Sequence, residues 1–170
     1  MYKKKCQSER IIAEFVRFHP FNDFPQQHGH FLNTCCADRS VVILDLLKSR
    51  EERWADYSAT ARNCIRRESQ LTVNENPDID AFIDMYALPM DRNRASGFYY
   101  FSRGYYDQLL SLPNVHLFSI KGASAPLSMA WFMMSPDIAH YHLSANTPES
   151  LKRNVNYVLL DRAFESAKER

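Results

Sequence analysis

Apolar positions recur along this chain in several rhythms, and each rhythm implies its own kind of element. Residues 11–19 are apolar and β-branched enough for a strand, which Pro20 ends. Residues 21–33, with Pro25 and Gly29 among polar neighbours, read as a surface loop. Residues 40–47 are apolar almost without alternation, as in a strand buried on both faces. Behind the capping box Ser49-Arg50-Glu51-Glu52, the residues Trp54, Tyr57, Ala61, Cys64 and Ile65 recur at helical spacing and predict one amphipathic helix to about Gln70. Asn76 as N-cap and Pro77 at the first position open a second helix, with Ile79, Phe82, Ile83 and Tyr86 on one face until Pro89. A short third helix holds Tyr105, Tyr106, Leu109 and Leu110 and closes at Pro113.

The rhythm then shortens to that of strands. Residues 115–121, 127–134 and 138–144, separated by turns at 122–124 and 135–137, predict an antiparallel meander. Thr147-Pro148-Glu149 opens a last helix, whose buried stripe is Leu151, Val155, Val158, Leu159 and Ala163. The order is that of a mixed α/β (α+β) domain with a central, mostly antiparallel sheet flanked by helices. At 170 residues a single domain over 1–170 is expected, with residues 1–38 as an N-terminal strand and loop leading into it.

Composition narrows the function. With 45% hydrophobic and 13% aromatic residues there is ample surface to bury, which excludes a disordered chain. Twenty-one basic residues against 20 acidic leave a net charge of +1, so any polyanion must be met by a local patch. The four glycines lie at least seven residues apart, which excludes the glycine-rich phosphate loops GxGxxG and GxxxxGK[ST]. Four cysteines without a CxxC spacing fit a reducing, cytoplasmic compartment. The basic stretch Lys3-Lys4-Lys5 is followed by Cys6-Gln7-Ser8-Glu9-Arg10 where a signal peptide needs an apolar run, and no apolar stretch has the length of a membrane span.

Five short segments carry a family likeness: Glu14-Phe15-Val16-Arg17-Phe18-His19-Pro20, Arg62-Asn63-Cys64-Ile65-Arg66-Arg67, Phe82-Ile83-Asp84-Met85-Tyr86, Phe98-Tyr99-Tyr100-Phe101 and His140-Tyr141-His142-Leu143-Ser144-Ala145. With the order of elements, they resemble GNAT acyltransferases, and within them the Fem-type (FemABX) branch, which includes bacterial peptidoglycan-bridge aminoacyltransferases. The likeness spans about residues 11–170 and departs from the family at two points. Where a conventional GNAT domain has a glycine-rich loop for the coenzyme A pyrophosphate, this chain reads Ala145-Asn146-Thr147-Pro148-Glu149. Pro148 lacks an N–H donor and Glu149 adds negative charge there. The sequence also stops where such families continue into a fifth strand, so one lobe, incomplete at its C-terminus, is expected. Its implied activity is transfer of an acyl or aminoacyl group to an amine, with no tightly bound cofactor and either aminoacyl-tRNA or acyl-CoA as donor. The other reading is a non-catalytic GNAT-like module acting through a protein partner or as a dimer.

Candidate residues follow from chemistry and from the likeness together. Arg62 and Arg66 lie four apart, facing away from the Trp54 stripe with Arg67 at their flank, and could offer guanidinium forks to a small anionic substrate or cell-wall precursor. The alternative is a solvated helix face. Tyr99 is a candidate phenol donor to an oxyanion, with Tyr86 and Arg92 nearby as substrate contacts, although such aromatics also serve as core anchors. His140, His142 and Ser144 share one face of an ideal strand. The likeness places His142 and Ser144 beside the reaction centre, where a histidine takes the amine proton; half-buried histidines satisfied by neighbours are the other reading. Asp161 and Glu165 read as solubility features, and Cys64 as a buried, inert thiol. His28, His30, Cys35 and Cys36 lack tetrahedral spacing, so no metal is expected. The strand at 138–144 would leave an unpaired edge, to be covered by a second chain or by residues 11–18.

Overall fold

β-branched residues favour strands only where a neighbouring strand takes up their backbone groups, and the N-terminal part of the chain shows the rule by exception. The computed structural model describes every residue except Met1, Asn93 and Ala95, together with the side chains of all but Tyr2, Lys3, Arg92 and Phe98 among them. It divides at Ile43/Leu44 into two units. The first, Met1–Ile43, holds helices α1 (Tyr2–Ser8) and α2 (Phe24–His28) and a 3-10 turn at Gly29–Phe31. No strand forms among its described residues. Residues 11–19, expected as a strand, are irregular and leave Ile12 and Phe15 exposed. Residues 40–47, expected as a doubly buried strand, are irregular too, and Val41, Val42 and Ile43 are exposed.

The second unit, Leu44–Arg170, contains the rest of the secondary structure. Its capping box forms as the spacing predicts: Ser49 Oγ accepts from the Glu52 N–H at 3.2 Å, and the Glu52 carboxylate accepts from the Ser49 N–H at 2.7 Å. This starts α3 (Arg50–Asp56), but the helix expected to reach Gln70 breaks at Tyr57, whose ψ of 147° is extended. Ser58 caps a new helix, α4 (Ala59–Arg67), by accepting from the Ala61 N–H. Asn76 is not the cap of the next helix. Its φ of 51° is left-handed, and its N–H bonds to Leu117 O at 2.6 Å, tying it to the sheet. Asp78 takes the Asp80 N–H instead, and α5 (Ile79–Arg92) runs through Pro89, where it was expected to stop. Helix α6 (Arg103–Ser111) follows.

The sheet is antiparallel throughout in the order β1-β2-β3-β4: β1 (Val73–Glu75), β2 (Val115–Lys121), β3 (Pro126–Met134) and β4 (Ala139–Asn146). The meander stands where period two put it; β1 is an addition, too short at three residues to show a period. The last helix is two, α7 (Pro148–Arg153) and α8 (Asn156–Lys168), separated at Asn154, whose φ of 57° is the left-handed conformation that asparagine tolerates.

Alternation along β2 and β3 loads both faces of the sheet. Phe118, Ile120, Ala130 and Phe132 join Val155, Val158, Leu159 and Ala163 beneath α8, with Ile65 of α4. Leu117, Met129 and Trp131 point to the opposite face and join Phe82 of α5 and Tyr106 and Leu109 of α6. Each fully buried Val, Leu, Ile, Phe or Met among them contributes on the order of 1.5–3 kcal/mol. On the α8 face the packing is pinned by charge. Arg53 is completely buried; its guanidinium donates to Lys48 O at 2.6 Å and to the Glu165 carboxylate. Asp161, also buried, accepts from Trp54 Nε1 at 2.8 Å and from Arg50 at 3.1 Å. Asp161 and Glu165 are thus the ionic anchors of α3 on α8, a correction to their reading as solubility features.

Candidate active site

Two adjacent tyrosines at the start of α6 point different ways, because neighbours on a helix are about 100° apart. Tyr106 turns inward, 1% exposed, stacked near Trp131 and edge-on to Phe82. Tyr105 stays half-buried at the sheet's margin, its ring stacked on Phe101 at 4.5 Å and 22°. Its hydroxyl lies 2.6 Å from His142 Nε2 on β4.

β4 is not a regular strand. Trp131 pairs with Leu143 and Phe132 with Tyr141, so His142 is an extra residue in the ladder, a β-bulge on an edge strand. The bulge reverses the alternation. His140 and His142 remain together, rings 6.1 Å apart, on the α6 side. Ser144 pairs with Ala130 and so lies on the α8 face, whereas Leu143 and Ala145 join the core under α5 and α6. The expected row of His140, His142 and Ser144 is therefore broken, and Ser144 does not stand beside His142. Burial, and then the neighbouring His140 ring, lower the His142 pKa, so its imidazole is neutral near pH 7. Burial raises the Tyr105 phenol.

Tyr86 is buried in the same aromatic cluster, 5.7 Å from Phe82 and 6.2 Å from Phe101 by ring centres. Its pKa is raised by burial first and then by Tyr105 and Tyr99. Tyr99 ends a 3-10 turn at Gly97–Tyr99 and is exposed. The Arg92 side chain lies outside the described part of the structure.

The α4 arginines are placed differently from expectation. Arg62 turns back on α3 rather than outward, donating to Trp54 O at 3.1 Å, Ala55 O at 3.3 Å and Tyr57 O, where it closes the C-terminal end of that helix. The guanidinium carbon of Arg66 lies 5.7 Å from the centre of the Trp54 ring. Arg67 bonds Glu68 at 3.1 Å and Arg153 O at 2.6 Å. Two of the three thus lean on the Trp54 stripe they were expected to oppose. Since α4 packs with α8 and Tyr105 belongs to α6, the sheet separates these arginines from His142. Tyr105 is the site residue missed in the sequence; its only signal was a Tyr-Tyr pair, of which one member alone can enter the core.

The β4–α7 junction closes on itself. Thr147 Oγ1 accepts from the Ser150 N–H at 3.1 Å and donates to Leu127 O at 3.2 Å. Pro148 has no N–H, and Glu149 pairs with Arg153 at 2.6 Å. Arg153 also holds the buried Glu68, whose carboxyl it keeps below the usual range. An open cleft of about 380 Å³ lies here between the β2–β3 turn and α7, bounded by Lys121, Gly122, Thr147 and Glu149. A Cβ at Gly122 would come within 2.7 Å of Ala125 O, so this tight turn needs glycine. Among the described residues, no group of three or more His, Cys, Asp or Glu side chains is disposed to hold a metal ion.

A four-stranded antiparallel sheet flanked by helices, with a bulged last strand leading into a helix, is joined by a decisive comparison. Residues 50–170 match the acetyltransferase (GNAT) domain, well over half of the chain. The chain belongs to the GNAT acetyltransferase domain family. No curated protein matches it. The GNAT domain lies within the second unit, and its fold is the mixed α/β architecture expected from the order of elements. Acyl transfer is the activity to which this GNAT membership points. Among the described residues, no helix is long and apolar enough to cross a membrane.

Proposed function

We propose that this GNAT domain transfers an acyl or aminoacyl group to an amine, and that His142 receives the proton released. The observation that carries this is the half-buried imidazole, kept neutral, at a bulge in the edge strand and held by one phenol. The amine nitrogen attacks the donor's carbonyl carbon. A C–N bond forms, the ester C–O or thioester C–S bond breaks, and the amine proton passes to the imidazole, which returns it to the leaving group. Most of the acceleration comes from positioning the amine and stabilising the tetrahedral oxyanion.

The β4–α7 junction is a poor seat for the coenzyme A pyrophosphate. With Thr147 taking the Ser150 N–H, Pro148 lacking one and Glu149 beside them, few donors remain for a pyrophosphate. Aminoacyl-tRNA as donor and an amine-bearing cell-wall precursor as acceptor are the substrates to try first, and both would place the reaction in the bacterial cytoplasm. The α4 arginines take no part in this reading.

The test offers charged tRNA or acetyl-coenzyme A to the protein with such a precursor and follows the acceptor's mass. The wild type should form product, His142→Gln should be slower by about 10²–10⁴-fold, and Ser144→Ala should keep the wild-type rate. No transfer from either donor would turn the reading to a non-catalytic module working through a partner.

A further inference from the structure

The contact between Tyr105 and His142 determines more than where the ring sits. We propose that Tyr105 both positions His142 and relays its proton: its hydroxyl donates to His142 Nε2 and holds the imidazole as the Nδ1–H tautomer. Resting on the transferase reading above, this adds the route of the proton. His142 then meets a ligand with a fixed N–H at Nδ1, and gains a proton only at Nε2, through the Tyr105 oxygen.

The argument is one of donors and acceptors. At 2.6 Å the two groups share one hydrogen, which sits either on the phenol oxygen or on Nε2. Both groups are neutral near pH 7, since burial raises the phenol and lowers the imidazole. Of the two arrangements, O–H···N joins the better acid to the better base. The hydrogen bond at one ring nitrogen then decides which nitrogen bears the proton. The phenol itself is held by its stack on Phe101 and its edge contact with Tyr106, ring centres 4.5 and 5.3 Å away. Because His142 is the bulged residue, no cross-strand partner opposes it, and Tyr105 is left to set its direction.

When the proton moves, the balance closes. The substrate amine's proton goes to the Tyr105 oxygen while the Tyr105 hydroxyl proton goes to Nε2, leaving a neutral phenol and an imidazolium.

The experiment is ¹⁵N-resolved NMR of the imidazole rings in the intact protein, with His142 assigned by loss of its signals in His142→Gln. The wild type should show Nδ1 protonated and Nε2 bare. Tyr105→Phe, which keeps the ring and its stack, should switch His142 to the Nε2–H form that a free imidazole favours and leave His140 unchanged. Tyr106→Phe, the same change one residue on, should leave the His142 tautomer alone. An Nε2–H tautomer in the wild type, signals unmoved in Tyr105→Phe, or an equal change in Tyr106→Phe would each overturn the proposal. Absence of acyl transfer would sink the transferase reading and leave the tautomer result standing by itself.

Discussion

The two faces of the sheet handle polar groups in opposite ways. Under α8, charge is buried but closed: Arg53 meets Glu165 and a carbonyl, while Asp161 meets Arg50 and the Trp54 indole. Under α5 and α6 the packing is aromatic, with the Trp131 indole nitrogen buried and unpaired within it, and at its rim Tyr105 and His142 meet half-buried. In a buried network of paired ions each charge is taken up by an opposite one, and its worth lies in the cost of opening it. An apolar bed with a polar margin can offer a reactive group without burying an unmatched charge. The lesson is that the most buried charges here belong to architecture, and the reactive candidate is the weakly basic ring at the edge.

The largest effect should come from opening the network. Glu165→Ala leaves the Arg53 guanidinium buried without its counter-ion, and urea unfolding should show a loss of about 3–5 kcal/mol. Arg62→Ala should come next, at about 1.5–3 kcal/mol, since it removes a charged donor from the C-terminal carbonyls of α3. It should leave anion binding, measured by calorimetry, where it was. Arg66→Ala, which loses only an exposed contact with Trp54, should cost about 0.5–1 kcal/mol. A large loss of substrate affinity in this last variant would return the α4 arginines to the active site and break the division of labour between the faces.

The smallest effect is one of pH. The folded His142 lies below its ordinary value near 6.5, so on acidification the unfolded chain takes up the proton first. The stability its neutral ring contributes is complete above that value and is lost as pH falls from about 6.5 toward the folded pKa. Melting temperature should therefore drop between pH 7 and pH 5, and drop less in His142→Gln. Glu68 is lowered from 4.5 by Arg153, and its own loss begins only in the more acidic range, so the two windows are separable.

Much of the fold could be read from period and punctuation. The meander stood out because long apolar-rich runs alternate with turn residues, and the Ser49 box because a cap is a local motif. Residues 11–19 and 40–47 misled because a β-branched run states a preference, and only a partner strand can satisfy it. The breaks at Tyr57 and Asn154 were hidden inside continuous helical stripes, which extend across a cap as easily as along a helix. Of the candidate site, His142 and Tyr86 lie in one aromatic neighbourhood, with Tyr99 close enough to Tyr86 to influence its titration. Asp161 and Glu165 were misread because their partners, Arg50, Arg53 and Trp54, are more than a hundred residues away in the chain. Ser144 was misplaced because a bulge leaves no trace in alternation counted from one end of a strand.

That bulge gives β4 a change of parity: before His142 the even-numbered residues face α6, and after it the odd-numbered ones do. Deleting one codon there would restore a single phase. Removing His142 would make Tyr141 and Leu143 direct neighbours, still opposite Phe132 and Trp131, so Leu143 and Ala145 would stay under α5 and α6 and Ser144 on the α8 face. The strand can therefore shed this one residue without moving any other across the sheet, and what it sheds is the imidazole that Tyr105 meets.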